Sequence, residues 1–198
     1  MRIMRAFIAV SIPDEVKRKL QEEIGRLSDL LRSAPVRWVR PEGIHLTLKF
    51  LGEISNNSLE EIRQVLEREV KKHPVFSLSV EGFGCFPNRR RPRVLWIGIT
   101  VENGTLTQVQ SAIEEQLVGL SFKKEGRPFH PHLTLGRVRR SISMSELTQL
   151  KDAVKEFVVG QIGHFEVREL HFIRSILGPS GAEYSSLGEY PLGRKSDE

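Results

Sequence analysis

Two spacings of apolar residues alternate along this chain and predict an ordered series of helices and strands. Apolar residues three and four positions apart favour a helix, whereas alternating apolar residues or short apolar runs favour a strand. Helices are predicted over residues 13–32, over residues 58–72, from about Leu106 to Leu120 and from Ser143 to Phe157. Strands are predicted over residues 5–12, 36–39, 45–51, 75–86, 94–101 and 132–138, and near residues 165–173 and 183–190. Residues 194–198 read as a disordered polar tail.

Three of the predicted helices begin with residues suited to a helix start. Pro13 fits the first position of the first helix, because proline lacks the N–H group that this position leaves unpaired. Ser58 with Glu61, and Ser143 with Glu146, have the spacing of a capping box. These residues predict where the first, second and fourth helices begin.

One four-residue motif occurs twice. His45-Leu46-Thr47-Leu48 returns as His132-Leu133-Thr134-Leu135, 87 positions later (132 − 45). A shift by the same number carries the predicted elements at 5–12, 13–32, 58–72 and 75–86 onto those at 92–99, 100–119, 145–159 and 162–173. The sequence therefore predicts an internal duplication of a strand-helix-strand-helix-strand unit. We expect residues 1–198 to form a single bilobal domain, whose pseudo-twofold axis sets the two motifs opposite each other across a central cleft.

Each copy of the motif separates polar from apolar side chains. Successive side chains of a strand point to opposite faces, so His45 and Thr47 share one face and the leucines share the other. The same alternation applies to His132 and Thr134. Each motif strand is therefore predicted to present an imidazole and a hydroxyl on one surface and to anchor that surface in the core through its leucines.

The composition of the chain excludes several classes of protein and favours others. The 198 residues carry a net charge of +5 and have a pI near 9.6, which favours an anionic partner such as nucleic acid. The single cysteine excludes an intrachain disulfide and a cysteine-rich zinc site. No apolar run has the length of a membrane span, and the N-terminus lacks the apolar region of a signal peptide. We expect a cytoplasmic monomer without a cofactor.

A facing pair of histidines suits proton transfer at a phosphodiester. One neutral ring takes a proton from a nucleophile while one protonated ring gives a proton to a leaving group. The hydroxyl groups of Thr47 and Thr134 can donate hydrogen bonds to the nonbridging oxygens of a phosphate. Such a site needs no metal, and a strained cyclic phosphodiester is a substrate that it could open.

These motifs resemble those of the two-histidine phosphoesterase superfamily, and within it the RNA 2′,3′-cyclic phosphodiesterases formerly described as 2′-5′ RNA ligases. The resemblance spans nearly the whole chain and is carried by the segments 45–53 (HLTLKFLGE), 131–137 (PHLTLGR), 5–10 (RAFIAV) and 93–98 (RVLWIG). It implies a bilobal α+β fold with mostly antiparallel sheets and the two motifs in a central cleft.

The same resemblance implies an activity and residue roles. The expected reaction is hydrolysis of RNA 2′,3′-cyclic phosphate ends, such as those of tRNA fragments, to 2′-phosphates, with 2′-5′ ligation as the reverse reaction. His45 resembles the proton donor and His132 the proton acceptor, and Thr47 and Thr134 resemble the phosphate contacts.

Two further residues are candidate substrate contacts. Arg137 follows His132 by five positions, an odd number that points it away from His132 in a flat strand. A bulge at Gly136 would return Arg137 to the side of His132, and a surface arginine is the alternative. Lys49 shares the parity of His45 and Thr47, and its alternative is a solvated lysine at the end of the strand.

Several other candidates compete with these. The arginines of the loop 88–93 suit either an RNA contact or a solvated loop. A zinc site of His45, His130 and His132 lacks acidic or cysteine partners, and the remaining histidines and Cys85 read as structural. Two other functions stay open: an RNA-binding module without turnover, and a two-histidine phosphodiesterase that acts on a small cyclic nucleotide.

Overall fold

A computed structural model describes residues 3–32, 35–178 and 181–193 of the chain. Its strands are β1 Ile3–Ser11, β2 Val36–Trp38, β3 His45–Ser55, β4 Phe76–Phe86, β5 Val94–Val101, β6 His132–Val138, β7 Gly163–Val167, β8 Glu169–Gly178 and β9 Gly181–Pro191. Its helices are α1 Asp14–Leu30, α2 Asn56–Val70, α3 Thr105–Val118 and α4 Met144–Glu156. The predicted α+β class is confirmed. The predicted tail at 194–198 lies outside the described residues.

The helices form where the apolar stripes predict them, and their starts differ in detail. The capping box of α4 is confirmed, because the Ser143 hydroxyl accepts from the backbone N–H of Glu146 and the Glu146 side chain accepts from the backbone N–H of Ser143. The capping box predicted at Ser58 is wrong, since Ser55 caps α2 by accepting from the backbone N–H of Ser58. Pro13 is the cap residue of α1 rather than its first helical residue.

The described strands form two antiparallel sheets. The first has the strand order β3-β1-β8-β9, and the second has the order β2-β6-β5-β4-β7. Buried apolar side chains from both halves of the chain form one continuous core. No helix of the described residues is long and apolar enough to cross a membrane.

The predicted duplication is confirmed at the level of strand register. In the first sheet β1 pairs with β3, and in the second β5 pairs with β6, in the same order of partners. All five pairs between β5 and β6 repeat pairs between β1 and β3 at the offset of 87; for example, Ser11–His45 recurs as Gly98–His132, and Phe7–Phe50 recurs as Val94–Arg137. The two motif strands, β3 and β6, therefore stand in equivalent environments.

Each sheet contains two strands from the other half of the chain. β2 and β4 belong to the first half but pair with β6 and β5 in the second sheet. β8 and β9 belong to the second half but lie in the first sheet, where β8 pairs with β1 and β9 pairs with β8. Neither repeat builds its sheet alone, so the two halves of the fold are joined through hydrogen-bonded strands as well as through the core.

The segment predicted as one strand near residues 165–173 is two strands. β7 ends at Val167 and pairs with β4, whereas β8 begins at Glu169 and pairs with β1. The chain thus passes from one sheet to the other at Arg168. No glycine or proline marks this change in the sequence, because it is determined by the pairing partners rather than by a local turn.

Lys49 does not share the face of His45 and Thr47, and that prediction is wrong. The pairing of β3 with β1 passes from Ala9–Thr47 to Ile8–Lys49 and omits Leu48, which is a β-bulge. The bulge turns Leu48 and Lys49 to the same buried side, where Lys49 is 7% exposed. Lys49 is therefore a residue of the core and not a substrate contact.

A buried ion pair links the two halves behind the motif strand. The Lys49 Nζ lies 2.5 Å from a carboxylate oxygen of Glu114 on α3 and donates to the carbonyl of Lys123 at 2.7 Å. Glu114 also accepts from the backbone N–H of Glu125 at 2.7 Å. The pair thus ties β3 to α3 and to the segment that leads from α3 to the second motif.

We expect Glu114→Gln to lower the free energy of unfolding by about 3–5 kcal/mol, because it leaves the Lys49 charge buried without a counter-ion. Urea unfolding monitored by circular dichroism measures the change. The double variant Lys49→Met/Glu114→Leu should recover most of the loss, since no charge then remains buried.

The matched control is Lys19→Met, which breaks an exposed pair with Glu15. Its effect should stay below about 1 kcal/mol. A loss of similar size in Glu114→Gln and in the control would contradict a stabilising role for the buried pair.

Candidate functional site

The side chains of the two motifs separate as the alternation predicts. Leu46, Leu48, Leu133 and Leu135 are buried, with exposures between 0% and 4%. His45, Thr47, His132 and Thr134 are partly exposed on the opposite sides of their strands. We call these four residues the motif surface.

Each histidine ring is oriented by a backbone carbonyl two residues earlier in the chain. The Nδ1 of His132 lies 2.7 Å from the carbonyl oxygen of His130, and the ring of His45 bonds the backbone of Gly43. Because a carbonyl only accepts, Nδ1 of His132 carries the proton of this hydrogen bond. The neutral ring of His132 then keeps a free lone pair on Nε2, which is the form that accepts a proton.

Aromatic rings enclose both imidazoles. The ring of Phe7 stacks on His45 with centroids 4.5 Å apart, and Tyr184 meets His45 edge-on at 5.2 Å. His132 lies 4.9 Å from Phe86 and 6.2 Å from Trp96. These neighbours come from strands distant in sequence, and no local signal at the motifs identifies them.

Burial holds the pKa of both histidines below the ordinary value. For His45 burial lowers the pKa from 6.5 to about 4, the hydrogen bond to Gly43 opposes the shift, and Arg137 adds to it. For His132 burial again lowers the pKa most, the carbonyl of His130 opposes it, and the charges of His130 and Arg137 add to it. Both rings are therefore neutral at pH 7 in the unliganded protein.

Arg137 lies on the motif surface side of β6. The pairing of β6 with β5 passes from Thr134–Trp96 to Gly136–Leu95 and omits Leu135. The predicted bulge beside Gly136 is thus confirmed, and Arg137 is exposed on the side of His132. Since its guanidinium lowers the pKa of both His45 and His132, one positive charge acts on both motifs.

Phe50 occupies the position in β3 that Arg137 occupies in β6, because the same bulge lies in both strands. Its side chain is 68% exposed, and its ring lies 5.9 Å from the Phe7 ring that stacks on His45. Phe50 was not predicted from the sequence, although its offset of 87 from Arg137 was a usable signal. The residues that follow the two bulges therefore differ: Phe50 is aromatic and Arg137 is cationic.

The remaining candidates lie in other settings. Cys85 is buried in the core, and burial raises the pKa of its thiol, which makes it a poor nucleophile. Arg93 donates to the carbonyls of Arg139 and Arg140 at 2.7 and 3.0 Å, so it braces its loop. Arg89, Arg90 and Arg91 are exposed.

The histidines outside the motifs have partners of their own. His164 lies 3.1 Å from the Ser79 hydroxyl, His171 faces Glu169 and Glu189, and His73 faces Glu69. Among the described residues, no three His, Cys, Asp or Glu side chains converge as a set of metal ligands.

We expect Arg137→Gln to raise the pKa of both His45 and His132, because the substitution removes a positive charge that disfavours the protonated rings. The pKa of His45 should remain below 6.5, since burial is the larger cause of its decrease. An NMR titration of the imidazole resonances measures both values. Arg139→Gln is the control and should leave them unchanged; unchanged values in Arg137→Gln as well would contradict the shared electrostatic contact.

Comparison with known proteins agrees with the internal duplication. The family model described as LigT-like phosphoesterase matches the chain twice, over residues 10–96 and 97–184. A curated relative from Archaeoglobus fulgidus, named RNA 2′,3′-cyclic phosphodiesterase, is 38% identical over 184 residues, which are 93% of this chain and 98% of that protein. A relative of the same name from Methanocaldococcus jannaschii is 33% identical over 94% of this chain and 100% of its own length.

Solved structures share the fold. The crystal structure of TT0787 from Thermus thermophilus superposes with a TM-score of 0.79 at 25% sequence identity. The superposition covers 98% of this chain and 100% of that protein.

Proposed function

Because this chain belongs to the LigT-like phosphoesterase family, we propose that it hydrolyses the 2′,3′-cyclic phosphate at RNA ends to a 2′-phosphate, without a metal. The names of its relatives support this substrate. The observation that carries the proposal is the pair of equivalent strands that each present a histidine and a threonine. The charge of Arg137 lowers the pKa of both histidines. A binding module would need no such matched pair of proton-transfer groups.

In this proposal His132 is the general base and His45 is the general acid. The Nε2 of His132 takes a proton from a water molecule, and the water oxygen forms a bond to phosphorus. The bond between phosphorus and the ribose 3′-oxygen breaks, and His45 gives its proton to that oxygen. The products are a 2′-phosphate and a 3′-hydroxyl. Ligation uses the same groups, with the 5′-hydroxyl of a second RNA in place of the water.

The phosphate contacts follow from the motif surface. Thr47 and Thr134 can each donate a hydroxyl hydrogen bond to a nonbridging oxygen, and Arg137 adds a charge-assisted contact. Donors that are already oriented stabilise the negative charge that develops on these oxygens in the transition state. Thr47 and Thr134 lie two residues after His45 and His132, so each strand supplies one proton-transfer group and one donor.

A bound phosphate also explains how the general acid, His45, becomes protonated. His45 is neutral at pH 7 in the unliganded protein, whereas a general acid must be protonated. The negative charge of the phosphodiester raises the pKa of a neighbouring imidazole and offsets the effect of Arg137. Substrate binding thus favours protonation of His45, which burial disfavours in the free protein.

The exposed ring of Phe50 supports the choice of His45 as the acid. Nucleobases stack on exposed aromatic rings, and Phe50 packs beside the buried Phe7 ring that stacks on His45. A base that stacks on Phe50 brings its own ribose to that side, and the leaving 3′-oxygen belongs to the ribose. The water then attacks from the side of His132.

We expect wild-type protein with EDTA to convert an RNA oligonucleotide ending in 2′,3′-cyclic phosphate to the 2′-phosphate product. His45→Ala and His132→Ala should each lose at least about 100-fold in kcat, because each removes one proton-transfer group. Chromatography against 2′- and 3′-phosphate standards measures rate and product.

His164→Gln is the matched control, since His164 is an exposed histidine away from the motif surface, and it should retain activity. Activity abolished by EDTA would replace this mechanism with a metal-dependent one. RNA binding without turnover in the wild type would favour the binding module.

We expect Phe50→Ala to raise KM about tenfold with little change in kcat, because it removes base stacking and no reacting group. Phe50→Tyr keeps the ring and should keep KM. Leu177→Ala removes an equally exposed apolar side chain from β8 and is the control. A fall in kcat at constant KM in Phe50→Ala would contradict a stacking role.

A further inference from the structure

Arg37 and Arg137 form a like-charge pair across two neighbouring strands. β2 is the edge strand of the second sheet and pairs antiparallel with β6, where Arg37 is the direct partner of Arg137. Directly paired residues of antiparallel strands have Cα atoms about 5 Å apart. Like charges placed in this way destabilise a sheet, so an anion between or beside them is favourable.

The side chain of Arg37 lies on the same face of the sheet as Arg137. Its neighbours Val36 and Trp38 are partly buried on the other face, and a Cβ on Gly136 would come within 2.7 Å of Val36 and 2.8 Å of Trp38. Arg37 between them is exposed. The guanidinium groups of Arg37 and Arg137 therefore face the same solvent region, beside the motif surface.

Neither arginine is neutralised by a residue that the structure describes. In the chain over residues 3–32, 35–178 and 181–193, no carboxylate pairs with Arg37 or Arg137, and neither guanidinium donates a hydrogen bond. By contrast, the nearby Arg93 donates to two carbonyls. Two free guanidinium groups on adjacent strands are suited to two successive phosphates.

The backbone of β2 holds Arg37 in a fixed position. Beyond the paired residues, the N–H of Val39 donates to the carbonyl of Leu135 at 2.8 Å, and the N–H of Arg139 donates to the carbonyl of Pro35 at 2.9 Å. Hydrogen bonds on both sides of Arg37 therefore fix its backbone relative to Arg137.

The two arginines stand at different distances from the reacting centre. Arg137 lies on β6, the strand that carries His132 and Thr134, and its charge lowers the pKa of both motif histidines, whereas Arg37 lies on the neighbouring edge strand β2. Arg137 is thus the arginine at the reacting phosphate, and Arg37 lies one strand farther out. A ligand that uses both must carry a second anionic group beyond the first.

We infer that Arg37 binds the phosphodiester on the 5′ side of the terminal nucleotide and makes this protein prefer RNA ends over free cyclic nucleotides. The inference rests on the proposed function and assigns one residue to its preference for RNA. A nucleoside 2′,3′-cyclic phosphate has one phosphate, and the motif surface and Arg137 bind it. An RNA end carries a second phosphate on the 5′-oxygen of the same nucleotide, and Arg37 is the unpaired cation available to it.

The test compares two substrates that share their reacting group. One is uridine 2′,3′-cyclic phosphate, and the other is a five-nucleotide RNA that ends in the same cyclic uridylate. Steady-state rates of wild type, Arg37→Gln and Arg37→Lys are measured with both. Arg18→Gln is the charge-matched control, because Arg18 is an exposed arginine of α1 without a side-chain partner among the described residues.

Arg37→Gln should raise KM for the RNA about tenfold, the size expected for one lost charge-assisted contact, and leave KM for the cyclic nucleotide within about twofold. Arg37→Lys should restore much of the RNA affinity, because a lysine also contacts phosphate as a point charge. The dependence of log KM for RNA on log salt should become shallower by about 0.7 in Arg37→Gln. The temperature of thermal unfolding should not fall and should rise slightly, since the substitution relieves a repulsion.

Equal changes of KM for both substrates, or no change for the RNA, would overturn the inference while leaving the proposed function intact. The same holds if Arg18→Gln changes KM as much as Arg37→Gln, because net charge alone would then explain the effect. Wild-type protein that turns over neither substrate overturns the proposed function, and the inference with it.

Discussion

The β-bulge in each motif strand determines which side chains form the site. In both strands two successive residues, Leu48 with Lys49 and Leu135 with Gly136, turn toward the interior. The side chain that follows each bulge is thereby reversed relative to a flat strand. Phe50 and Arg137 reach the motif surface only because of this reversal. Without the bulges, Lys49 and Gly136 would lie on the face of the histidines and threonines, and Phe50 and Arg137 would point to the other face.

The duplication gives β3 and β6 equivalent backbones, but the residues that they carry at and after each bulge differ. The inward positions hold a lysine in one half, paired with Glu114, and a glycine in the other, packed under Val36 and Trp38. The outward positions hold Phe50 and Arg137. Two copies of one strand thus give two motif strands that differ in chemistry beyond the bulge.

The sequence predicts those parts of the site that depend on nearest neighbours along a strand. The alternation of His45, Leu46, Thr47 and Leu48 identifies the faces because it involves only four residues. The same alternation fails at Lys49, since the bulge depends on how β1 pairs with β3. The aromatic neighbours and the exchange of β4 and β8 lie outside local prediction for the same reason. The predicted cap of α2 is three residues too late because Ser55 and Ser58 are both good cap residues, and the structure uses the first.

The exchange of strands has a consequence for the integrity of the chain. The exposed arginines of the segment between β4 and β5 offer a site for trypsin, and a cut there leaves β1 to β4 in one fragment and β5 to β9 in the other. Each fragment would still contribute strands to both sheets, through the pairs β1–β8, β4–β5 and β4–β7. The nicked protein would hold together without a peptide bond between its halves, and the two motif strands would keep their places. Continuity of the backbone at that loop is therefore dispensable for the assembled site, whereas each half alone would expose the edges that its missing strands normally cover.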